Sequence, residues 1–347
     1  MMSVIQCNNS IQRIRKAKMK SRSLDAPITP KLSDYMNGKG IEGHVHSPAH
    51  SREDTLDWIE GRNKGVGCKL PCMQDSDLRL LPGSLCIWAG INGHGKSALI
   101  QQYCLWWSAG RHTDKQEKIL FWSPEMIFKV QVERMIKQSL GVDEPTRAAS
   151  NYAIDFLDGK VYIYDKEENV TVQEIVALAR WASDSGYTQL VIDSLSMVNL
   201  GSRRKDDVNL HEQSFVRSLK EAARSTGLHI HLVVHMRKGE NEYRSTDKMD
   251  IKGAGEITDL ADYVFIIDRH VKKEIELNKP GNENNEDWLD QPDGSVRCIK
   301  NRYDPIHRQL PLWFCGKMFS FKKGRRADIP RLIEPSRDDL KRGYAAQ

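Results

Sequence analysis

Leu85-Cys86-Ile87-Trp88-Ala89-Gly90-Ile91-Asn92-Gly93-His94-Gly95-Lys96-Ser97-Ala98-Leu99-Ile100 is the stretch on which the fold turns. An apolar run of strand length, Leu85–Ala89, leads into a turn carrying Gly90, Gly93 and Gly95. Lys96-Ser97 then opens an apolar segment that reads as a helix over 96–108. Residues 90–97 fit G-x-x-x-x-G-K-[ST] in full, with the strand before and the helix after that the pattern requires. Glycines let successive backbone N–H groups turn inward around phosphate oxygens, and the helix N-terminus adds partial positive charge. The pattern predicts a nucleoside triphosphate site. Gly90, Asn92, Gly93, His94, Gly95 and Ala98 form the loop, Lys96 reaches the β- and γ-phosphates, and the Ser97 hydroxyl ligates Mg²⁺. ATP, or another NTP or dNTP, is the expected ligand.

On either side of this stretch, apolar runs of strand length alternate with helix-length segments. Strands are predicted at Ile119–Trp122, Val161–Tyr164, Leu190–Asp193 and Leu228–Val234, and helices at 127–139, 171–184 and 207–225. Such alternation predicts an α/β fold, a mostly parallel twisted sheet with helices on both faces. Tyr263–Ile267 and Val296–Ile299 read as later strands, and the polar segment 278–287 between them reads as an exposed loop. Upstream, Ser51-Arg52-Glu53-Asp54 is a capping-box-like start for a short helix over 52–60. The proline- and glycine-rich residues 25–50 read as loop.

A Mg²⁺-supporting carboxylate should end a neighbouring strand, and Asp193 does so after Leu190-Val191-Ile192. Glu125 follows the strand Ile119–Trp122 and is placed to polarise a water in line with the γ-phosphate. Each has a plainer reading, Asp193 as a helix cap and Glu125 as a first-turn acid favoured by the helix dipole. His229, His231 and His235 fall on one face of a strand because side chains alternate. A metal site is the sharper alternative there, but no cysteine or carboxylate is adjacent in sequence. The favoured reading is strand histidines with one functional group, His235, at the strand end.

The 347 residues are 39% apolar and carry a formal net charge of +5. That balance permits a polyanionic partner without requiring one. No run of 18 apolar residues exists, which excludes a membrane-spanning helix read from sequence. Seven cysteines are scattered, with Cys68 and Cys72 the one close pair, and read as thiols in a reducing compartment. The first 24 residues hold six basic and no acidic residues. They read as a flexible basic arm rather than a targeting segment, so a cytoplasmic location is expected, with a mitochondrial one left open.

Five segments in order resemble the DnaB-type replicative helicases, over roughly residues 70 to 320. Ser123-Pro124-Glu125-Met126 with Val132-Glu133-Arg134-Met135 is similar to the family's SLEM…R segment, and Asp193-Ser194-Leu195-Ser196 to its Walker B strand end. Arg224-Ser225-Thr226-Gly227 and the strand ending at His235 resemble the helicase half of T-odd phage primase-helicases and of the mitochondrial Twinkle helicase. Asp250–Ile257 with Asp259–Asp262 resembles the DLRGSGAL…LSD stretch, and Ile299-Lys300-Asn301-Arg302 the K-x-R strand end. The resemblance implies a RecA-like P-loop NTPase core. It implies Glu125 as catalytic carboxylate and His235 as γ-phosphate sensor. Arg302 would be an arginine finger supplied to the next subunit, with Lys300 beside it. A finger supplied in trans implies a homo-oligomeric ring, expected as a hexamer, that moves 5′ to 3′ on single-stranded DNA. A phage origin, and so the host cytoplasm, is the corresponding guess. Lys252 departs from the family's usual arginine, and the two are not interchangeable in bidentate contacts.

By composition the segment from Arg237 to Lys252 is a solvated loop of net charge +1, with five basic and four acidic residues. In the family the matching region lines a central channel. That implies DNA contact by Lys252, Gly253, Ala254 and Gly255 first, then Arg244 and Lys248, through sequence-independent phosphate binding. The expected organisation is a basic arm over 1–50, a linker helix over 51–66 that docks on a neighbouring subunit, a RecA-like domain over 67–322 and a basic tail over 323–347. No primase or helical amino-terminal domain fits ahead of the core, so priming, polymerase and loader functions are expected from partners. The competing reading is a RecA-fold ATPase that loads or regulates a helicase, or mediates recombination, without unwinding. Retention of Glu125, His235, Lys300 and Arg302 favours the motor.

Overall fold

Strands in a sheet covered on both faces must be apolar on both faces, and Leu85-Cys86-Ile87-Trp88-Ala89 meets that condition, buried at every position. In the computed structural model this strand lies in the middle of the sheet. The structure describes residues 47, 49, 51–60, 67–70, 78–113, 115–166, 168–201, 205–236, 254–304 and 308–336. The chain divides into a unit ending at Gly65 and a unit beginning at Val66. In the first, helix α1 (Arg52–Ile59) stands at the position the capping signal predicts, with Leu56 and Ile59 exposed.

The second unit begins with a two-residue antiparallel pair, β1 (Cys68–Lys69) and β2 (Arg79–Leu80). Then come β3 (Leu85–Gly90), α2 (Lys96–Ser108), β4 (Ile119–Trp122), α3 (Phe128–Leu140), α4 (Arg147–Leu157), β5 (Val161–Ile163), α5 (Val172–Asp184), β6 (Gln189–Ile192), α6 (Lys205–Thr226) and β7 (His229–His235). After these come α7 (Ala254–Leu260), β8 (Tyr263–Arg269), α8 (Val271–Leu277), α9 (Glu286–Leu289), β9 (Gly294–Asn301), β10 (Arg308–Cys315) and β11 (Ser320–Lys322). Nine strands form one sheet in the order β11-β10-β9-β8-β3-β7-β6-β4-β5. The six from β8 to β5 pair in parallel, and β9, β10 and β11 add on antiparallel at one edge. Among the described residues no helix is long and apolar enough to cross a membrane.

The pleat of β3 divides the core. Cys86 and Trp88 face a layer built with Leu99, Tyr103 and Trp107 of α2, where Trp88 stacks on Phe265 with ring centroids 4.6 Å apart. Leu85, Ile87 and Ala89 face the opposite layer with Phe215, Val216 and Leu219 of α6. The sequence expectation lacks β1, β2, α7, α8, β10 and β11, and two further helices depart from it. Helix α4 is new, capped by Thr146, whose side chain accepts from the Ala149 N–H at 3.2 Å. The polar stretch expected as a loop runs into helix α9, capped by Asn285. Its short length and lack of an apolar face hid it. Beyond Lys322 the chain returns to the core, where Leu332 and Ile333 are buried and their N–H groups donate to the Ser139 carbonyl.

Asp262 ties the starts of β3 and β8 together. It is fully buried, accepts from the Leu85 N–H at 2.9 Å and from the Tyr303 hydroxyl at 3.3 Å, and pairs with the buried Lys220 ammonium of α6. Removing one partner of such a pair leaves the other charge uncompensated. Asp262→Ala is therefore expected to destabilise the fold by about 3–5 kcal/mol. Urea unfolding at an unchanged m-value would read this, and Asp262→Asn should fall between it and the parent chain.

Candidate active site

Parallel strands end together, so residues just past their C-terminal ends converge. Gly90 of β3 sits in register with His235 of β7, and Trp122 of β4 with Ile192 of β6. These pairings bring the loop 90–97, His235, Glu125 and Asp193 to one edge of the sheet. Gly93 and Gly95 both have φ near +83°, a conformation that favours glycine. A Cβ on Gly90 would lie 2.6 Å from the Ile267 carbonyl oxygen, and one on Gly95 would lie 2.8 Å from the Phe321 ring. The loop therefore packs too closely against β8 and Phe321 to admit a side chain at either position. His94 is held by its Nδ1, which accepts from the Arg269 N–H at 3.2 Å.

Lys96 is buried, and its ammonium donates to the carbonyls of Gly90 at 3.0 Å and Ile91 at 3.1 Å. Burial pulls its pKa down to about 8, opposed by the charges of Asp193 and Glu125. Asp193 is also buried. Desolvation pushes its carboxyl up, and the Ser97 hydroxyl acts in the other direction. A buried carboxylate and a hydroxyl beside a lysine-bearing glycine cradle are hard oxygen donors of the kind Mg²⁺ takes, next to a phosphate-shaped nest. The residues fit Mg²⁺ and a triphosphate.

Glu125 has the opposite environment. Its Oε1 accepts from Ser194 Oγ at 2.7 Å, from Ser196 Oγ at 3.4 Å and from His235 Nε2 at 3.4 Å. A carboxylate only accepts, so the ring proton of His235 sits on Nε2, which also lies 3.1 Å from Ser194 Oγ. The hydrogen bond from His235 foremost, then those from the serines, holds the Glu125 carboxyl down at about 2 against a partial burial that would raise it. Glu125 is therefore an ionised, partly exposed carboxylate. Ser194 and Ser196 carry no site role of their own in the sequence expectation. The signal for them was Ser-Leu-Ser directly after the strand-ending Asp193.

Lys300 and Arg302 are not part of this group. Both leave β9 near Asn301, which pairs with Tyr263 at the start of β8, the sheet edge away from the glycine loop. The loop departs from the far end of β3, a strand length of about 15 Å away. Lys300 Nζ donates to the Thr258 and Asp259 carbonyls at 2.8 Å, and Arg302 to the Asp259 carbonyl at 3.0 Å and, through Nε, to Asp262 at 3.3 Å. Lys252, Gly253, Arg244 and Lys248 lie outside the described residues. Ala254 and Gly255 begin α7.

One sequence expectation needs correction. The strand histidines do have a cysteine beside them. Cys86 of β3 is in register with His231 and within reach of both His229 and His231. The pairing of β3 with β7, strands far apart in sequence, creates this neighbourhood.

A family model described as an AAA domain matches residues 52–241. The DNA helicase/primase of Enterobacteria phage T3 is 21% identical over 220 residues, covering 57% of this chain and 37% of that protein. The chain thus spans little more than a third of the length of this curated relative. The solved ATPase domain of G40P superposes with a TM-score of 0.63 at 16% identity, over 80% of this chain and 98% of that one. A DnaB-like replicative helicase, solved in a study of its interactions with primase, gives a TM-score of 0.62 at 16% identity, over 91% and 75% of the two chains. The fold is that of RecA-like helicase ATPase domains.

The environment of Glu125 makes a measurable prediction. Donors to the ionised form lower a carboxyl pKa, so losing them raises it. In protein carrying ¹³C-labelled glutamate, the Glu125 carboxyl carbon should not titrate above about pH 4. His235→Ala and Ser194→Ala should each move its midpoint upward, His235→Ala further.

Proposed function

The chain belongs to the AAA-domain family, and from that premise we propose that it is an ATP-driven, ring-forming helicase motor that moves 5′ to 3′ along single-stranded DNA. The observation that carries the reading is the division of the phosphate-handling groups between the two edges of the sheet. Glu125, His235, Lys96, Ser97 and Asp193 gather at one, and Lys300 and Arg302 stand at the other. An arginine so placed serves the phosphate loop of another copy more readily than its own, which supports a ring, expected as a hexamer. The matched phage helicase/primase and the fold shared with a DnaB-like helicase support the same reading.

In this reading Gly90, Asn92, Gly93, His94, Gly95 and Ala98 cradle the phosphates through the loop backbone, and Lys96 neutralises them. Ser97 and Asp193 hold Mg²⁺, which when bound withdraws charge from the transferring phosphoryl group. Glu125, kept ionised by Ser194 and His235, orients a water and takes its proton. His235 senses the γ-phosphate through the nitrogen it shares with Glu125. Arg302 of the neighbouring copy, with Lys300 beside it, meets the charge that develops on phosphoryl transfer. Lys252, Gly253, Ala254 and Gly255, then Arg244 and Lys248, grip the DNA backbone. The helix over 52–59 docks on the adjacent copy, and a primase, polymerase or loader completes the machine.

The test is ATP hydrolysis by the purified chain with and without single-stranded DNA. Stimulation by DNA, with Glu125→Gln lowering turnover by about a hundredfold or more, is the expected result. DNA-independent hydrolysis would turn the reading to a regulator or loader that does not unwind. Lys252→Ala should depress the DNA-stimulated rate more than the basal one, and equal losses would sink its assignment. Arg302→Ala should cost about a thousandfold. Mixing Arg302→Ala with Glu125→Gln should restore part of the activity, because mixed rings contain some intact interfaces. No recovery would place the finger in cis.

A further inference from the structure

At the edge of the sheet away from the glycine loop, a cavity of about 550 Å³ is lined by Cys68, Leu80, Tyr187, Gln189 and Gly227, with His229 in its wall. His229 is buried at the first position of β7. Its Nδ1 lies 2.9 Å from the Leu81 carbonyl and 2.8 Å from Ser84 Oγ. A carbonyl only accepts, so the ring proton is on Nδ1 and Nε2 carries a bare lone pair. That Nε2 is buried and finds no hydrogen-bond partner among the described residues. Two residues along, His231 stands on the same face, with ring centroids 4.3 Å apart. Cys86 of β3 is level with His231 across the parallel pairing. One ligand atom from each of Cys86, His229 and His231 lies within 4.8 Å of the others, and all three residues are buried.

We propose that Cys86, His229 and His231 form a binding site for a closed-shell, thiophilic metal ion of the Zn²⁺ class, reached from this cavity past His229. One thiolate and two imidazoles are a donor set that suits such an ion. A backbone carbonyl on Nδ1–H that aims Nε2 is the usual support of a metal-bound histidine. His231 accepts from the Trp88 indole N–H at 3.1 Å on Nδ1 and bonds Gln189 Oε1 at 3.0 Å through Nε2. It joins the metal by exchanging one of these bonds. On binding, the Cys86 S–H bond breaks, a sulfur–metal bond forms, and the proton leaves to buffer through the cavity. Water from the cavity completes the tetrahedron. The ion would clamp β3 to β7, the strands that carry the glycine loop and His235, at the ends away from the nucleotide. The rival reading is a satisfied core network in which no metal binds.

Co²⁺, a spectroscopic substitute for Zn²⁺, decides between them in the full chain after chelator treatment and reduction. The expected result is a thiolate-to-Co²⁺ charge-transfer band with tetrahedral visible bands, saturating at one ion per chain and bleached by Zn²⁺. Cys86→Ser should abolish the charge-transfer band, and His229→Gln should weaken binding at least about tenfold, while Cys315→Ala leaves both unchanged. Added Zn²⁺ should raise the melting temperature of the parent chain and not of Cys86→Ser. Should Cys86→Ser fail to fold, His229→Gln and the melting shift of the parent chain carry the decision. Absence of a charge-transfer band in the parent chain, or its survival in Cys86→Ser, overturns the proposal. None of these readouts depends on ATP hydrolysis.

Discussion

The register of the central parallel strands is the constraint on which everything else rests. β3, β7, β6 and β4 are covered on both faces, so their interiors tolerate little but apolar side chains, and chemistry is confined to where they end. Gly90 opposite His235 and Trp122 beside Ile192 bring four ends level. A slip of one residue in any pairing would swap the two core layers and move a functional group off the edge. The burial of Trp88, Phe265 and Tyr103 on one face and of Phe215 and Leu219 on the other is therefore also what aims the site.

At that edge, two carboxylates a few residues past neighbouring strands have opposite environments. Asp193 is buried and its charge is penalised by desolvation. Glu125 is partly exposed and supplied with hydroxyl and imidazole donors, so it is ionised. Pairs of acids pushed apart by their surroundings mark division of roles. Ser194 links the halves, adjoining Asp193 in the chain while its hydroxyl reaches both Glu125 and His235.

The other edge has its own organisation. Asp262 accepts from Leu85, Lys220 and Tyr303, and the last turn of α7 just before it holds Arg302 and Lys300 through the Thr258 and Asp259 carbonyls. Helix α7 runs from the expected DNA-contact residues at Ala254–Gly255 to those carbonyls. The buried Cys86–His229–His231 group lies on β3, the strand paired with β8, and on β7 beyond it.

By itself the sequence determined the elements whose cause is local. The glycine loop was legible because phosphate geometry demands glycines, lysine and serine at fixed spacing. The strands were legible because double burial demands unbroken apolar runs. Asp193 and Glu125 could be picked out because each follows such a run. Helices α4 and α9 were among the elements missed, with α7, α8, β10 and β11, since a single capping residue and a short polar turn are weak signals beside tertiary packing. The tertiary structure alone decided which strand lies beside which. It alone set Ser194 against Glu125, parted Arg302 from the glycine loop by a strand length, and placed Cys86 next to two histidines far along the chain. Those relations depend on pairing between strands remote in the chain, which burial of the whole sheet fixes and no local pattern encodes.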